Sequence, residues 1–312
     1  MTRILTLTPN PALDLSTSTE RIVPFRKLRC ATARRDPGGG GINVARVVRR
    51  LGGEVLAVYP AGGSSGRQLA GLLAGEGVPC VEVPVSAETR EDFTVFEAAT
   101  GLQFRFVLPG AELSDGEWQA CLAALIRADP PPDLVVASGS LPPGAPEDFY
   151  GRVALMAKTI KAKTIVDTSG PPLEAALKEG VYLIKPNLRE FQELVGRPLA
   201  DQAAWIKAGR SLIDRGEVEL IALTLGQRGA LLISREEALL ADGLPIKPAS
   251  VVGAGDSFTG AMVWSLASGH TIEQALKFGV AAGSGAVLRP GTELCQAEDV
   301  RRLAADVVVR RL

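Results

Sequence analysis

Histidine is almost absent from this chain: 312 residues include only one, His270, in the loop-like run Ser268-Gly269-His270-Thr271. That scarcity argues against a His-rich zinc site. The count leaves a Ser-His-Asp triad open, but no G-x-S-x-G elbow accompanies it, so His270 reads as structural. Cysteine is also sparse. Cys30, Cys80, Cys121 and Cys295 lie far apart, without a C-x-x-C or a metal-type spacing, and read as reduced thiols of a cytoplasmic protein. No apolar run approaches the roughly 20 residues that a membrane span requires. Pro9, Pro11 and Asp14 interrupt the place where a signal region would lie. A net charge of −1 gives no general attraction to nucleic acid or anionic membranes. There is no Gly-Lys dipeptide and no His-Arg-Asp triplet, which excludes the P-loop and the protein-kinase catalytic loop.

Glycine, with 34 residues, is plentiful, and two runs carry the chemistry. In Val251-Val252-Gly253-Ala254-Gly255-Asp256-Ser257-Phe258-Thr259-Gly260, small residues precede a carboxylate and then an apolar helical pattern (Phe258, Met262, Val263, Leu266). Unpaired amides at such a helix start, together with the helix dipole, make an anion site. Asp256 stands at its edge, placed to take a proton from a hydroxyl. The second run is Gly38-Gly39-Gly40-Gly41-Ile42-Asn43. It is not a convincing dinucleotide fingerprint, because Arg34-Arg35-Asp36-Pro37 precedes it and proline is poor strand material. Its glycines suit the approach of backbone amides to a sugar, with Asn43 bonding the hydroxyls.

Apolar strands alternate with amphipathic helices along most of the chain, which predicts an α/β protein with a mostly parallel sheet covered on both faces. Strands are expected at 3–8, 54–59, 133–138, 164–167, 181–185, 219–224 and 229–233. Helices are expected after Gly41 and at 64–76, 146–160, 172–179, 188–195, 256–268, 272–288 and 297–309. Residues 12–35 are polar and β-like, and 89–108 reads as a hairpin in which Phe93 and Val95 face Phe104 and Phe106. The expected product is a small β lid, too small to stand alone, with its apolar face against a second subunit. Ligands of parallel α/β sheets sit at the carboxyl ends of the strands. There the pattern gathers Asp14, the Gly38–Gly41 turn with Asn43, Ser138-Gly139-Ser140, Asp167-Thr168-Ser169, Lys185-Pro186-Asn187 with Glu190, and Thr224-Leu225-Gly226.

The GGGG-x-N turn with the later Gly-Ala-Gly-Asp resembles the ribokinase-like (PfkB) sugar kinases. Thr8 to Asp14 (TPNPALD), Lys185-Pro186-Asn187…Glu190 and Ser250…Gly255-Asp256-Ser257 resemble the phosphosugar branch of that family. The resemblance covers essentially the whole chain. It implies a single ribokinase-like domain over 1–312, a three-layer sandwich with a mostly parallel central sheet and a β lid built from about 12–35 and 89–108. It also implies MgATP-dependent transfer of a phosphoryl group to the 1-hydroxyl of fructose 6-phosphate by a cytoplasmic dimer. Tagatose 6-phosphate and fructose 1-phosphate are alternative acceptors, and a non-catalytic sugar-phosphate sensor is a reading of a different class.

The roles follow from the same resemblance. Asp256 would be the base, held ionised by the helix N-terminus, and the amides of Gly253, Ala254 and Gly255 the anion hole. Asp14, Gly38, Gly39, Asn43 and Ser140 would orient the sugar, and Arg90 and Lys27 would meet the phosphate it already carries, Lys27 from the neighbouring subunit. Lys185, Asn187, Thr224, Gly226 and Ser284 would line the nucleotide, with Glu190 holding magnesium through water. A monovalent cation such as potassium would sit among backbone carbonyls near Ser250, Val252, Ala286 and Gly291. Arg289 and Glu293 depart from the family pattern in that loop and leave the potassium dependence open.

Overall fold

The computed structural model describes residues 2–110, 112–247, 250–289 and 291–312. Strand β1 (Ile4–Leu7) is followed by β2 (Ala12–Thr19), β3 (Arg34–Gly38) and helix α1 (Gly40–Arg50). Next come β4 (Val55–Ala61), α2 (Gly63–Gly75), β5 (Cys80–Pro84) and the hairpin β6 (Arg90–Glu97) and β7 (Leu102–Phe106). The alternation continues through α3 (Asp115–Ile126), β8 (Leu134–Ser138), α4 (Phe149–Thr159), β9 (Lys163–Asp167), α5 (Pro171–Lys178) and β10 (Val181–Ile184). After α6 (Leu188–Leu194), α7 (Gln202–Asp214) and β11 (Val218–Thr224) come the strands β12 (Gly229–Ile233) and β13 (Ala238–Asp242). Helices α8 (Ala254–Ala267), α9 (Ile272–Val287) and α10 (Ala297–Asp306) precede the last strand, β14 (Val309–Arg311).

Ten strands form the large sheet, in the order β14-β13-β12-β11-β10-β9-β8-β1-β4-β5. The block from β5 to β11 is parallel throughout, and β12, β13 and β14 add antiparallel strands at one edge. Both faces are covered. Ile4 faces a core shared with α1, α8, α9 and α10, whereas Leu5 and Leu7 of the same strand face a core with α3, α4 and α7. This is the expected three-layer arrangement, and it explains the near-continuous apolar runs of the central strands. No helix among the described residues is long and apolar enough to cross a membrane.

The smaller sheet has the order β3-β2-β6-β7, with β2 and β6 parallel and the outer pairs antiparallel. Its register sets Phe93 opposite Phe106 and Val95 opposite Phe104 on one face. Asp14 pairs with Asp92, and Thr94 with Arg105, on the other. Phe93 is 38% exposed and Phe106 53%, so the apolar face points away from the large sheet while the polar face turns toward it.

Several boundaries differ from expectation. A strand does precede the glycine run: β3 includes Pro37, which is tolerated because β3 is an edge strand whose outer side needs no N–H donor. It belongs to the lid, paired antiparallel to β2, and not to the parallel sheet that a dinucleotide fingerprint requires. Residues 20–33 form no strand, so the 12–35 segment is strand only at its two ends. Helix α10 stops at Asp306, and the tail Val309–Arg311 pairs with β13 instead of extending the helix to 309. Elements β5, α3, α7, β13 and β14 were not anticipated.

Candidate active site

The carboxyl ends of β1, β8, β9, β10 and β11 open under the polar face of the small sheet, around a cavity of about 560 Å³. Its walls include Asp14, Gly39, Asn43, Arg90 and Ser140 on one side and Lys185, Asn187, Glu190 and Thr224 on the other. A second cavity of about 340 Å³ adjoins it and shares Asn187, Thr224 and Gly255. That second space is walled mainly by apolar groups, among them Leu244, Ile246, Phe258 and Val280, and includes Gly226, Ala254 and Ser284. Gly253 and Asp256 line the first.

Helix α8 therefore begins at the junction. Gly253 caps it in the left-handed conformation (φ 75°), where a side chain would be strained and its Cβ would lie 2.7 Å from Leu294. The first helical bond runs from Ser257 N–H to the Gly253 carbonyl, so the amides before it have no partner within the helix and face the ligand space. Asp256 lies in that first turn and accepts a 2.8 Å hydrogen bond on Oδ2 from Asn43 Nδ2. Burial pushes its carboxyl above the ordinary range, while Asn43 and the Lys185 ammonium pull it back. Asn43 and Lys185 thus favour the ionised form against desolvation, beside the start of α8 in whose first turn the carboxylate lies.

Lys185 directly follows β10 and lies 3.3 Å from Asp167, at the end of β9. Burial lowers its proton affinity, but Asp167 and Asp256 outweigh this and hold it above the ordinary lysine value. Asp167, raised to about 6 by burial against the opposing pull of Lys185, also accepts from Thr259 Oγ1 at 3.1 Å. Asn187 and Glu190 form a capping box at the start of α6: Glu190 N–H donates to Asn187 Oδ1 (3.0 Å), and Asn187 N–H to Glu190 Oε2 (2.9 Å). The N-x-x-E spacing thus has a local reason independent of any ligand.

On the lid side, Asp14 is buried and raised to about 7, first by desolvation and then by Asp92. Gly38 does not line the cavity but backs it, close against the Asp14 carboxylate. Arg90 donates through Nη1 to the Leu108 carbonyl (3.0 Å) and through Nη2 to that of Asn10 (3.1 Å), and lies 3.4 Å from Asp92. Ser140 Oγ accepts from Asn10 Nδ2 at 3.2 Å. Lys27 lines neither cavity and is exposed in the 20–33 segment. Arg289 does not project into the carbonyl loop but pairs with Asp299 of α10.

The cavity also contains Asp92, Arg105 and Asp167, to which the sequence reading gave no role. For the first two a signal existed. If Phe93, Val95, Phe104 and Phe106 share the outer face, period-two alternation turns Asp92 and Arg105 inward. Asp167 was visible as a strand terminus but not as the partner of Lys185.

Two adjoining cavities that meet at an amide-rich helix start, one lidded and polar and the other largely apolar, define a nucleotide-dependent group-transfer enzyme of the carbohydrate-kinase class. The chain belongs to the pfkB family of carbohydrate kinases, whose sequence pattern it matches over residues 12–299. It is 45% identical over 300 residues to the ATP-dependent 6-phosphofructokinase isozyme 2 of Mycobacterium tuberculosis, covering 96% of this chain and 88% of that protein. The Escherichia coli isozyme 2 is 41% identical over 306 residues, covering 98% and 99%. The structure of E. coli phosphofructokinase-2 in complex with fructose-6-phosphate superposes with a TM-score of 0.92 at 40% identity, covering 98% of this chain and 99% of that one. Other structures of that E. coli protein are a complex with potassium and a tetrameric inhibited form. A 1-phosphofructokinase from Xanthomonas campestris is 33% identical, covering 98% of this chain and 97% of its own.

Proposed function

We propose that the chain transfers the γ-phosphoryl group of ATP to the 1-hydroxyl of fructose 6-phosphate, giving fructose 1,6-bisphosphate, with Asp256 as general base. The observation that carries this reading is the position of Asp256 and the free amides of α8 at the junction of the two cavities. A sugar bound under the lid and a nucleotide in the apolar cavity would present their reacting groups to each other there. Phosphoryl transfer has a loose transition state, so positioning and charge stabilisation count for more than base strength. The Gly253, Ala254 and Gly255 amides receive the moving negative charge, and Asp256 takes the hydroxyl proton as the oxygen commits.

Asp14, Gly39, Asn43 and Ser140 orient the sugar hydroxyls, with Gly38 supporting Asp14 from behind. Its phosphate meets Arg90 and Arg105, the latter without an ion-pair partner among the described residues, and Lys27 of a second copy. The nucleotide lies along Lys185, Asn187, Thr224, Gly226 and Ser284. The donor set suits a magnesium ion that arrives on the triphosphate: Glu190 uses Oε2 for capping, and no group of three or more His, Cys, Asp or Glu among the described residues could cage a metal by itself. Magnesium, when bound, would neutralise phosphate charge, and Glu190 would help to hold it through water.

A potassium ion would sit in the carbonyl loop at Ser250, Val252, Ala286 and Gly291. Arg289 is turned away toward Asp299. The Ser250 hydroxyl, now bonded to the Gly291 carbonyl at 2.7 Å, has Gln103 Oε1 at 3.2 Å as an alternative acceptor that frees that carbonyl. The exposed Phe93 and Phe106 suit a homodimer formed through the lids, which also supplies Lys27 to the partner's site. Four free cysteines suit a reducing, cytoplasmic setting.

The decisive experiment is Asp256→Asn, which keeps shape and helix position but removes the base. The expected result is a fall in kcat of roughly 10²–10⁴ with both KM values nearly unchanged. A folded variant with near-normal kcat overturns the reading. Rates on fructose 6-phosphate, tagatose 6-phosphate, fructose 1-phosphate and fructose then identify the acceptor.

A further inference from the structure

Asn43 does not orient itself. Its side chain lies between two groups of opposite demand: Nδ2 donates to Asp256 Oδ2 at 2.8 Å, and Oδ1 accepts from Arg46 Nη1 at 3.2 Å. Arg46 lies one helical turn further along α1 and is only 1% exposed, the largest fully buried side chain of the described residues. All three of its guanidinium nitrogens donate. Nε and Nη2 bond Glu76, at the end of α2, with Nη2 to Oε1 at 2.6 Å. Nη1 also donates to the carbonyl of Pro37 at 2.9 Å, where the lid strand β3 runs into the glycine turn.

An inverted Asn43 amide would set its NH₂ against the guanidinium and its oxygen against the Asp256 carboxylate, two like-polarity contacts in a low-dielectric interior. Burying an arginine this deeply is costly, and an apolar side chain would fill the space more favourably. Simple packing therefore does not account for it.

We propose that Arg46 is a positioning residue for phosphoryl transfer. Anchored by Glu76, it locks the Asn43 amide so that Asn43 holds one oxygen of Asp256 in a fixed place, and it ties the lid's entry strand to the same point. Arg46 touches no substrate; it acts through Asn43. The inference rests on Asp256 being the base.

The test compares two backgrounds. Arg46→Met combined with Glu76→Gln replaces the ion pair by an apolar and a neutral group of similar size, avoiding an unpaired charge at the buried Arg46 position; Arg50, which also pairs with Glu76 at 3.4 Å, keeps its bonds to the Leu294 and Cys295 carbonyls. In otherwise wild-type enzyme this double variant should lose about 10- to 100-fold in kcat, the cost of a misplaced reacting group, with KM for ATP unchanged. In an Asp256→Asn background the same pair of changes should cost less than about threefold, because the group being positioned no longer acts. Equal losses in both backgrounds would mean that Arg46 merely supports the fold, and the proposal falls.

A separate result, full activity of Asp256→Asn alone, would instead remove the base and leave the chain's kinase assignment to other residues. Arg46→Lys provides the control should the double variant not fold. Lysine keeps the charge but cannot reach Glu76, Pro37 and Asn43 together, so kcat should fall at least tenfold while the fold persists. Wild-type kcat in Arg46→Lys refutes the positioning role.

Discussion

Replacing Gly38 by alanine should damage sugar binding without touching the nucleotide site. An added Cβ would lie 2.5 Å from both Cγ and Oδ1 of Asp14, whereas ordinary contact begins at 3.4 Å. The carboxylate must therefore withdraw by about 0.9 Å, since Gly38 is fixed by its pairing with Ala12 across the strands. The backbone of Gly38 is not in the left-handed region, so the effect is steric and not conformational. A displacement of that size breaks a charge-assisted hydrogen bond to a sugar hydroxyl, worth about 1.5–3 kcal/mol. kcat/KM for fructose 6-phosphate should then fall roughly 10- to 150-fold, while KM for ATP stays within about twofold of wild type.

The assay is coupled ADP release at saturating MgATP over a range of sugar concentrations, with melting temperature measured alongside. Gly71→Ala is the matched control: it lies in α2 with nothing within 4 Å of the added carbon, so full activity and a small gain in stability are expected. If Gly38→Ala retains its sugar kcat/KM within about twofold, Asp14 is not the sugar ligand that its position suggests.

Three further outcomes are expected. Glu190→Gln preserves the capping box, because glutamine accepts the same Asn187 N–H bond; the fold should be unaffected while the magnesium concentration needed for half-maximal rate rises about 10- to 100-fold, and an unchanged magnesium requirement would remove Glu190 from the metal's surroundings. Without ligands the protein should become more stable as pH falls from about 7 to about 5: Asp14 and Asp167 have folded pKa values raised from 3.8 to about 7 and about 6, so the unfolded chain ionises first and stability is lost as pH rises through that window. Below about 4.5 the trend reverses, because Glu76 and Asp299 are lowered by their arginine partners; a melting temperature flat from pH 5 to 8 would contradict the buried state of Asp14. Finally, Phe93→Glu with Phe106→Glu should yield a monomer in sedimentation, with activity reduced at least tenfold by the loss of the partner's Lys27, and an intact, fully active oligomer would exclude the lid as the interface.

The alternation of the central strands and their helices was legible, β5, α3, α7 and β13 excepted, because it is a local property: apolar period and turn residues act over a few positions, and α1, α8 and the central strands follow them closely. The two glycine runs were legible for the same reason, since small residues before a helix expose its amides whatever surrounds them. The inward direction of Asp92 and Arg105 was legible in principle, through the parity of the lid strands. What the sequence by itself could not determine was which distant groups meet. Asn43 and Asp256 are 213 positions apart and share a proton donor and acceptor only because α1 and α8 pack side by side. Lys185 and Asp167 pair because β9 and β10 are neighbours in the sheet. The Arg46–Glu76 pair depends on where the end of α2 comes to rest, and β14 becomes a strand only because β13 offers an open edge. Backbone propensity is decided over a turn or two of chain, but the charge environment of a carboxylate is decided by everything within a few ångströms, and that neighbourhood exists only after the layers have packed.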